Sequence, residues 1–420
     1  MKSHVKALVV GGGAVGTSIA YHLARAGWDD VVLLERDELT SGSTWHAAGL
    51  LPLFNMSFAT THIHQYSVEF YKQLEAETGL NAGFSIVGNL RMAQTKERMD
   101  EYMVYATTAE TCGVPYEWLS SAQIKERYPL VRSEDLVGAI YHPTDGYINP
   151  ADVTMAMAKG ARQRGVMIER KWQADGYEWT GSEWKVTLTK MVEKGGNLVA
   201  SDEQIVVHAE HVVTATGNHA QRTAKLLGIK MPAIPVEHQF IVTEPHPEIV
   251  ARHEAGAPEM GVLRESDSSW YMREENGGLL LGPYEVGAPV CYVDGPSADS
   301  EYELFQADMD RLMPHIETAI ARVPAFAEVG VKEVYNGAIA YTPDGSPMVG
   351  PAWGLQNFWL NEGHSFGITA AGGSGWQLAE WIVEGEPSLD MMGVDPRRFG
   401  PYASRGYLKA KNEEAYANVF

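Results

Sequence analysis

Buried-strand and helix patterns alternate at the start of the chain. Residues 5–10, VKALVV, form a short apolar run of the kind found in parallel strands that are covered on both faces. Apolar residues recur at helical spacing over 14–26, Gly27 is a natural helix end, and 31–35, VVLLE, is a second apolar run. A strand, a helix and a strand in this order predict a parallel βαβ unit.

Helical spacing returns twice more in the first half of the chain. It predicts a long helix over 58–78, with Ser57 as the N-terminal cap and Gly79 at the exit. It predicts another helix over 149–165, which opens on an Asn-Pro pair suited to a helix start. The apolar run 166–169 then predicts a further parallel strand.

Other stretches have the two-residue alternation of antiparallel strands. Residues 238–244, HQFIVTE, alternate in this way, and 269–285 predict a hairpin that turns around ENGG. Parallel and antiparallel pieces therefore alternate along the chain, with no linker rich in Pro, Gly or Ser between them. We expect an α/β fold of mixed α+β character, in which a Rossmann-type domain is interleaved with an antiparallel-sheet domain.

A glycine motif lies between the first predicted strand and the first predicted helix. Gly11 permits a tight turn, Gly13 lets the backbone approach a pyrophosphate, and Gly16 lets the helix pack closely. Glu35 ends the next strand, where an acid hydrogen-bonds a ribose hydroxyl. This spacing predicts a dinucleotide site for either FAD or NAD. A second glycine-rich loop within 357–382, between a predicted strand and helix, favours FAD, a large cofactor touched from both ends of the chain.

Composition narrows the classes of partner. The formal net charge is −21, which disfavours nucleic acids and anionic membrane surfaces, and no apolar run approaches the ~20 residues that span a bilayer. Two cysteines, Cys112 and Cys291, with no CxxC or HExxH motif, give no reason to expect a metal, and we expect His62 and His64 on a solvated helix face. With no targeting segment seen, we expect a cytoplasmic protein.

Several motifs together resemble the D-amino-acid-oxidase-like FAD oxidoreductases, and more narrowly the flavin half of dimethylglycine and sarcosine dehydrogenases. They are GSTWHAAGL at 42–50, VEHQF at 236–240, WYMREENGGLLLGPYE at 270–285 and YTPDGSPMVGP at 341–351. The ATG that ends a predicted strand at 215–217 fits the same family. This set is far more specific than the glycines, and it covers nearly the whole chain.

The resemblance implies that His46 is joined covalently to the flavin of FAD. The small residues around it allow close backbone approach to a flat ring, and a neutral imidazole is nucleophilic enough to add to an activated methyl group. A histidine that only hydrogen-bonds the cofactor is the alternative. The cofactor-binding residues so implied are Gly11, Gly13, Ala14, Val15, Gly16, Glu35, Arg36, Gly42, Ser43, Thr44, Trp45, His46, Ala47, Ala48, Gly49, Leu50, Ala174, Ala215, Gly217, Gly363, Ser365, Phe366, Gly367 and Ile368.

The resemblance also implies a reaction, the oxidative N-demethylation of a small N-methylated amino acid. Hydride leaves the N-methyl carbon for the flavin, and water hydrolyses the resulting iminium. His238 and Tyr271 are the implied catalytic residues, because a histidine takes a proton near neutral pH and a tyrosine orients an amine or a carboxylate. Arg91 and Arg273 could hold the substrate carboxylate or could equally be surface pairs, and Trp45 could line the flavin or only fill the core.

We expect a discontinuous domain organisation. Residues 1–80, 143–230 and 335–395 are assigned to the FAD-binding domain, and residues 81–142 and 231–334 to the substrate domain. Residues 396–420 are expected to be an extension that leads to an absent folate-binding half, so tetrahydrofolate is a cofactor only where that half is present.

The electron acceptor and two rival functions stay open. An electron-transferring flavoprotein is the usual acceptor of the dehydrogenases of this family, and oxygen that of its oxidases. The rivals are an amino-acid oxidase or dehydrogenase that acts at Cα, and a flavin-carrying subunit without independent activity. The release of formaldehyde separates N-methyl oxidation from oxidation at Cα.

Overall fold

A computed structural model describes residues 1–297, 302–400 and 402–419. Within these residues the α-helices are α1 (Ala14–Arg25), α2 (Phe58–Thr78), α3 (Lys96–Cys112), α4 (Ser121–Arg127), α5 (Pro150–Gln163), α6 (Ala220–Leu227), α7 (Pro247–Glu254), α8 (Met309–Arg322), α9 (Gly367–Glu384) and α10 (Arg405–Ala417).

The strands belong to two large sheets and one small one. They are β1 (His4–Val10), β2 (Val31–Glu35), β3 (Leu50–Leu51), β4 (Ser85–Ile86), β5 (Asn89–Ala93), β6 (Glu117–Leu119), β7 (Gly138–His142), β8 (Gly146–Tyr147), β9 (Met167–Arg170), β10 (Trp172–Trp179), β11 (Trp184–Lys194), β12 (Asn197–Thr214), β13 (Val236–Thr243), β14 (Val262–Glu265), β15 (Trp270–Glu275), β16 (Gly278–Pro283), β17 (Val331–Ile339), β18 (Met348–Pro351) and β19 (Phe358–Glu362).

The first sheet has the strand order β10-β11-β12-β1-β2-β9, with β19 beside the end of β12 and β18 beside β19. β1 pairs in parallel with β2 and β12, and β9 pairs in parallel with β2. Helices α1, α2, α5 and α9 pack over one face, and the antiparallel strands β10 and β11 contribute apolar side chains to the core on the other. The predicted βαβ unit and the predicted strand at 166–169 are confirmed.

The second sheet has the order β17-β13-β16-β15-β14-β5-β7-β6. Its pairs are antiparallel except β14 with β5, which are parallel, so the predicted antiparallel-sheet domain contains one parallel pair. The predicted hairpin is confirmed, because β15 and β16 pair antiparallel and the turn residues Asn276 and Gly277 both have positive φ. The mixed fold predicted from the sequence is thus present.

Glycines within α9 bring three helices close together. An added Cβ would lie 2.1 Å from the Ile63 oxygen at Gly373 and 2.2 Å from Ser18 Oγ at Gly375. Such distances are far below van der Waals contact, so only glycine lets α9 approach α2 and α1 this closely. The glycines of the predicted loop-and-helix unit therefore serve helix packing as well as the loop.

The C-terminal segment folds against the second sheet. Asn412 on α10 donates hydrogen bonds to the Ile234 and Tyr341 carbonyl oxygens at 2.9 and 2.7 Å, and Tyr416 is fully buried. The segment expected to be an extension is therefore part of the packed structure. The division into two domains stays a prediction; β17 runs across the boundary expected at 334/335 and pairs along its length with β13.

None of the helices in the described part of the chain combines the length and the apolar character that crossing a bilayer requires.

Candidate active site

A long cleft lies between the two large sheets. It is lined by the loops that follow β1 and β2, by the residues after β12, by the start of α9, and by side chains of β13, β15 and β17. The carboxyl ends of the parallel strands open into it, which is where α/β sheets bind ligands.

Residues 11–16, here called the cradle, form one wall of the cleft. Gly11 has φ +116°, and a Cβ there would lie 2.2 Å from the Ala215 oxygen. A Cβ on Gly16 would lie 1.8 Å from the Gly11 oxygen, so this glycine seats α1 against the turn. The Ala14 N–H donates to Thr44 Oγ1 at 3.2 Å. The N-terminus of α1, with its partial positive charge, therefore faces a narrow and largely backbone-lined space.

Glu35 closes the cradle from the end of β2. Its carboxylate accepts hydrogen bonds from the Gly12 and Asp37 N–H groups at 2.7 and 2.8 Å. The side chain is buried, and burial raises the pKa of this carboxyl. Each carboxylate oxygen can accept a second hydrogen bond, which suits a ribose hydroxyl.

A second buried carboxylate holds the ATG turn. Glu362, at the end of β19, accepts hydrogen bonds from the Thr216 and Gly217 N–H groups at 2.7 and 3.0 Å. Burial raises its pKa to about 7. The turn therefore keeps its position in the cleft wall through an acid that sequence reasoning missed.

The loop after β2 brings His46 into the cleft. Ser43 Oγ donates to the Ala338 oxygen at 2.8 Å, which ties the loop to β17. The Trp45 and His46 rings meet edge to face, with centroids 5.3 Å apart, and both side chains line the cleft. Burial lowers the pKa of His46 to about 4, so the imidazole is neutral at physiological pH and has a nucleophilic lone pair.

A glycine on β17 makes room for the His46 ring. A Cβ on Gly337 would lie 2.4 Å from His46 Cε1. Gly337 is the cross-strand partner of His238 on β13. The register of the second sheet thus brings His46 and His238 into one neighbourhood, and sequence reasoning missed the glycine that permits it.

Side chains of the second sheet cover the cleft, and His238, Tyr271 and Arg264 are here called the roof. His238 Nε2 and the Tyr271 hydroxyl are 3.2 Å apart. Tyr271 is buried, and burial raises its pKa, so the hydroxyl keeps its proton. Burial and the nearby His46 lower the pKa of His238 to about 3, so this imidazole is neutral. The two residues predicted as catalytic are direct hydrogen-bond partners.

Two buried arginines lie beside this pair. Arg264 on β14 and Arg91 on β5 are register partners, and Arg264 lines both the cleft and a second cavity that Arg91 also lines. Burial, followed by the charge of Arg264, lowers the pKa of Arg91 to about 9, so it remains a cation at neutral pH. Arg273 instead pairs with Glu275 at 2.7 Å. Sequence reasoning considered Arg91 and Arg273 and missed Arg264.

The cleft gathers most of the predicted site residues. Those that line it are Gly11, Gly13, Ala14, Val15, Glu35, Arg36, Gly42, Ser43, Thr44, Trp45, His46, Ala47, Ala48, Gly49, Leu50, Ala174, Ala215, Gly217, His238, Tyr271, Gly363, Ser365, Phe366, Gly367 and Ile368. Gly16 lies behind this surface, where its contact is with Gly11. Their roles in binding and catalysis stay predictions.

The expectation that His64 on α2 is exposed to solvent is wrong. His64 is buried, not solvated, and burial lowers its pKa to about 4. Elsewhere, His4, Glu183 and His208 place ligand atoms within 4.8 Å of one another at a more exposed site. That no metal is needed stays a prediction.

The chain matches known families over nearly its whole length. Residues 6–381 match the DAO family, described as FAD dependent oxidoreductase. Residues 384–420 match a family described as FAD dependent oxidoreductase central domain.

Two relatives illustrate the similarity. Dimethylglycine dehydrogenase, mitochondrial, of Rattus norvegicus is 38% identical over 421 residues, which cover 99% of this chain and 47% of that protein. The 4-methylaminobutanoate oxidase (formaldehyde-forming) of Paenarthrobacter nicotinovorans is 34% identical over 424 residues, which cover 100% of this chain and 49% of that protein. The chain spans about half the length of these relatives.

A solved structure shares the fold. The L-proline dehydrogenase from P. horikoshii superimposes with a TM-score of 0.79 at 23% identity, covering 95% of this chain and 98% of that chain. At this level of identity the likeness concerns the fold alone.

Proposed function

Because this chain belongs to the family of FAD-dependent oxidoreductases, we propose that its cleft binds FAD and oxidises the N-methyl group of a small N-methylated amino acid. The observation that carries the proposal is the Tyr271–His238 pair, 3.2 Å apart, in the cleft that also holds the cradle. A proton-handling pair beside a dinucleotide site suits the oxidation of an amine.

The described residues fit FAD. Gly11 keeps the Ala215 backbone within a distance that no side chain would allow, which leaves the N-terminus of α1 open to a pyrophosphate. Glu35 lies where a ribose hydroxyl would bind. The start of α9 supplies backbone N–H groups on another wall. When bound, FAD supplies the two-electron acceptor that oxidation of a C–H bond requires.

The roof supplies proton control. An amine is oxidised readily only when its nitrogen has a free lone pair, whereas a typical alkylamine is protonated at neutral pH. The Tyr271 oxygen can accept a hydrogen bond from the ammonium group, and neither neutral ring supplies a negative charge that would hold the ammonium in its protonated form. The roof thereby orients the amine nitrogen and does not oppose the loss of its proton.

The same roof supplies a carboxylate site. Arg264 is buried beside Tyr271, with its Cζ 5.6 Å from the centre of that ring. Arg91 is the next cation along the sheet and lies 3.8 Å above the Phe54 ring. A guanidinium binds a carboxylate through paired hydrogen bonds, and burial strengthens them. We propose that a substrate with an amine and a carboxylate a few bonds apart binds with its amine toward Tyr271 and its carboxylate toward Arg264.

We further propose that His46 is the point of covalent attachment. Its neutral ring, its position in the cleft and the glycine beneath it support this role. In the test, purified wild-type protein and His46→Ala are precipitated with acid. We expect yellow colour in the wild-type pellet and in the supernatant of the variant. A yellow pellet from His46→Ala, or a colourless one from the wild type, contradicts this assignment.

The product that we propose is formaldehyde, together with the demethylated amino acid. The oxidised substrate is an iminium, and water hydrolyses it to these two molecules. Transfer of the one-carbon unit to tetrahydrofolate is the alternative fate, and adding tetrahydrofolate to the assay tests it, because capture would lower the free formaldehyde. The electron acceptor is identified by two separate measurements, the consumption of oxygen and the reduction of an electron-transferring flavoprotein.

The reaction itself is tested on purified protein under anaerobic conditions. Dimethylglycine, sarcosine and 4-methylaminobutanoate are each mixed with the protein, and the loss of the blue absorbance of the flavin is followed. We expect at least one of them to bleach the flavin and to yield formaldehyde in turnover with a dye. Bleaching by proline or glycine with no formaldehyde from any N-methyl compound would favour oxidation at Cα. No bleaching by any of these compounds would favour a subunit without independent activity.

A further inference from the structure

We propose that Tyr416 and Glu285 are positioning residues that fix His238 in one tautomer, with its hydrogen on Nδ1, so that Nε2 accepts the hydrogen of Tyr271. The proposal rests on the proposed function in one respect, namely that Tyr271 faces the substrate amine. The tautomer itself is a property of the chain and can be measured without substrate.

The four side chains form a continuous hydrogen-bonded row. His238 Nδ1 lies 2.9 Å from the Tyr416 hydroxyl, on the side of the ring opposite Tyr271. The Tyr416 hydroxyl also contacts Glu285 Oε2. Tyr416 and Glu285 are both buried, so water does not compete for these contacts. The row joins the C-terminal helix to the roof of the cleft.

Gln239 fixes the direction of the hydrogen bonds in this row. Its side-chain oxygen accepts from the Asp308 N–H at 2.7 Å, which orients the amide so that its nitrogen faces Glu285. That nitrogen donates to Glu285 Oε1 at 2.7 Å. Oε1 of Glu285 is therefore an acceptor. Burial raises the pKa of Glu285, and in its ionised form Oε2 also accepts, so that Tyr416 donates its single hydrogen there.

The positions of the remaining hydrogens in the row follow by exclusion. With its hydrogen given to Glu285, the Tyr416 oxygen can only accept, so His238 Nδ1 must carry a hydrogen and donate it. A neutral imidazole has one N–H, so Nε2 is left as an acceptor and takes the hydrogen of Tyr271. The Tyr271 oxygen then presents lone pairs to the cleft, which is what an ammonium donor requires. The opposite tautomer would make His238 a donor to Tyr271.

Other titratable groups around the imidazole do not offer this control. Tyr284 packs against it with ring centroids 5.0 Å apart, and His46 is the nearby titratable group on the loop after β2. Burial, followed by the charge of Glu285, keeps the pKa of Tyr416 well above its ordinary value, so Tyr416 remains a hydroxyl. The row from Glu285 to Tyr271 is therefore the path along which the tautomer is set.

Glu285→Gln is the sharpest variant because it keeps the shape and reverses the hydrogen bonds. The amide oxygen of the new side chain must face the Gln239 nitrogen, so its NH₂ group points at Tyr416. Tyr416 then accepts, and its hydrogen turns to His238 Nδ1. We expect the hydrogen of His238 to move to Nε2. Tyr416→Phe removes the acceptor at Nδ1 and should favour Nε2–H as well.

Nitrogen NMR of histidine-labelled holoenzyme without substrate measures the tautomer. Nε2 couples to both ring C–H hydrogens and Nδ1 mainly to one, so the pattern shows which nitrogen is bare, and His238→Gln assigns the signal. We expect a bare Nε2 in the wild type and a bare Nδ1 in Glu285→Gln. A bare Nδ1 in the wild type overturns the proposal, even if neither variant folds. An unchanged tautomer in both folded variants overturns it too.

Anaerobic reduction supplies a kinetic readout. For Tyr416→Phe we expect the limiting rate of flavin bleaching to fall about tenfold, with the apparent dissociation constant of the substrate within about twofold of the wild type. Tyr407→Phe, on the same helix with its ring against Tyr402, is the matched control and should match the wild type. A rate unchanged in Tyr416→Phe contradicts the positioning role. If no N-methyl compound bleaches the wild type, the proposed function fails, while the NMR result still decides the tautomer.

Discussion

The cradle and the roof face each other across one cleft, but they are built from different material. The cradle is backbone, and its shape depends on the missing side chains of Gly11 and Gly16, within a few residues of sequence. The roof consists of polar side chains on β13, β14 and β15, and it is supported by Arg91 on β5 and Tyr416 on α10, which lie more than 300 residues apart in the sequence. At Gly11 and Gly16 the cradle therefore has no room for an added side-chain atom, whereas the roof tolerates changes that keep both shape and hydrogen bonding.

The largest effect is expected in the cradle. Gly16→Ala places a Cβ 1.8 Å from the Gly11 oxygen, and relief of that clash must displace the turn. Overpacking of this kind costs about 3 kcal/mol, and the displaced turn no longer fits a pyrophosphate. We expect a colourless protein that FAD does not reconstitute. Gly393→Ala, where an added Cβ meets nothing within 4 Å, should be as yellow as the wild type. A yellow Gly16→Ala protein contradicts this account of the cradle.

A change of one atom in the roof should leave the cradle intact. Tyr271→Phe removes the hydroxyl that lies 3.2 Å from His238 Nε2. We expect the limiting rate of flavin bleaching to fall about 100-fold or more, with the flavin content unchanged. Tyr116→Phe, which removes a surface hydrogen bond to Glu110, is the control. Wild-type rates in Tyr271→Phe would show that the roof does not handle the amine proton.

Arg264 of the roof should affect substrate binding more than the rate of oxidation. Arg264→Met removes a charged hydrogen bond to the substrate carboxylate, so we expect KM to rise about 10- to 100-fold with kcat within a few-fold of the wild type. Steady-state assays with a dye measure both constants. Arg273→Gln breaks an ion pair with Glu275 away from the proposed carboxylate site and should leave KM nearly unchanged. A rise in KM for Arg273→Gln alone would mean that the substrate carboxylate binds at Arg273 and not at Arg264.

The last effect is a change in the stability of the roof with pH. The folded pKa of His238 is about 3 and its ordinary value is 6.5, so below pH 6.5 the unfolded chain takes up a proton that the folded protein refuses. Its contribution to stability is present above pH 6.5 and is lost as the pH falls toward 3. The difference in unfolding free energy between the wild type and His238→Gln should therefore fall by up to about 1.4 kcal/mol per pH unit below pH 6.

Denaturant unfolding at several pH values measures this difference. Gly393→Ala should give a difference from the wild type that does not change with pH, because it removes no titrating group. A difference for His238→Gln that is equally constant from pH 7 to pH 4 would contradict the burial of a neutral imidazole in the roof.

The cradle could be predicted from the sequence because its signal is local. The turn, the helix start and the acid at Glu35 follow one another within one βαβ unit, and each has a residue type that backbone geometry demands. The hairpin around Asn276 and Gly277 was predictable for the same reason. Each of these sequence signals depends only on residues that are neighbours in the chain.

The roof could be predicted only in part. His238 and Tyr271 were found through a family resemblance, since each alone is an ordinary strand residue. Arg264 was missed because one cation in a short strand looks like a surface residue; its burial depends on which strand lies beside it. Tyr416 was missed because the polar tail around it gives no sign of packing behind β13. Pairing of distant strands and helices decides such contacts, and one sequence does not contain that information locally.

The most direct measurement of the central claim is a kinetic isotope effect on flavin reduction. Purified protein is mixed anaerobically with dimethylglycine that carries deuterium either in its N-methyl groups or at Cα, and the loss of blue absorbance is followed. Our account predicts slower bleaching with the N-methyl-labelled compound and an unchanged rate with the Cα-labelled one. Slowing by the Cα label alone would contradict it and would show that this chain oxidises the amino acid at Cα.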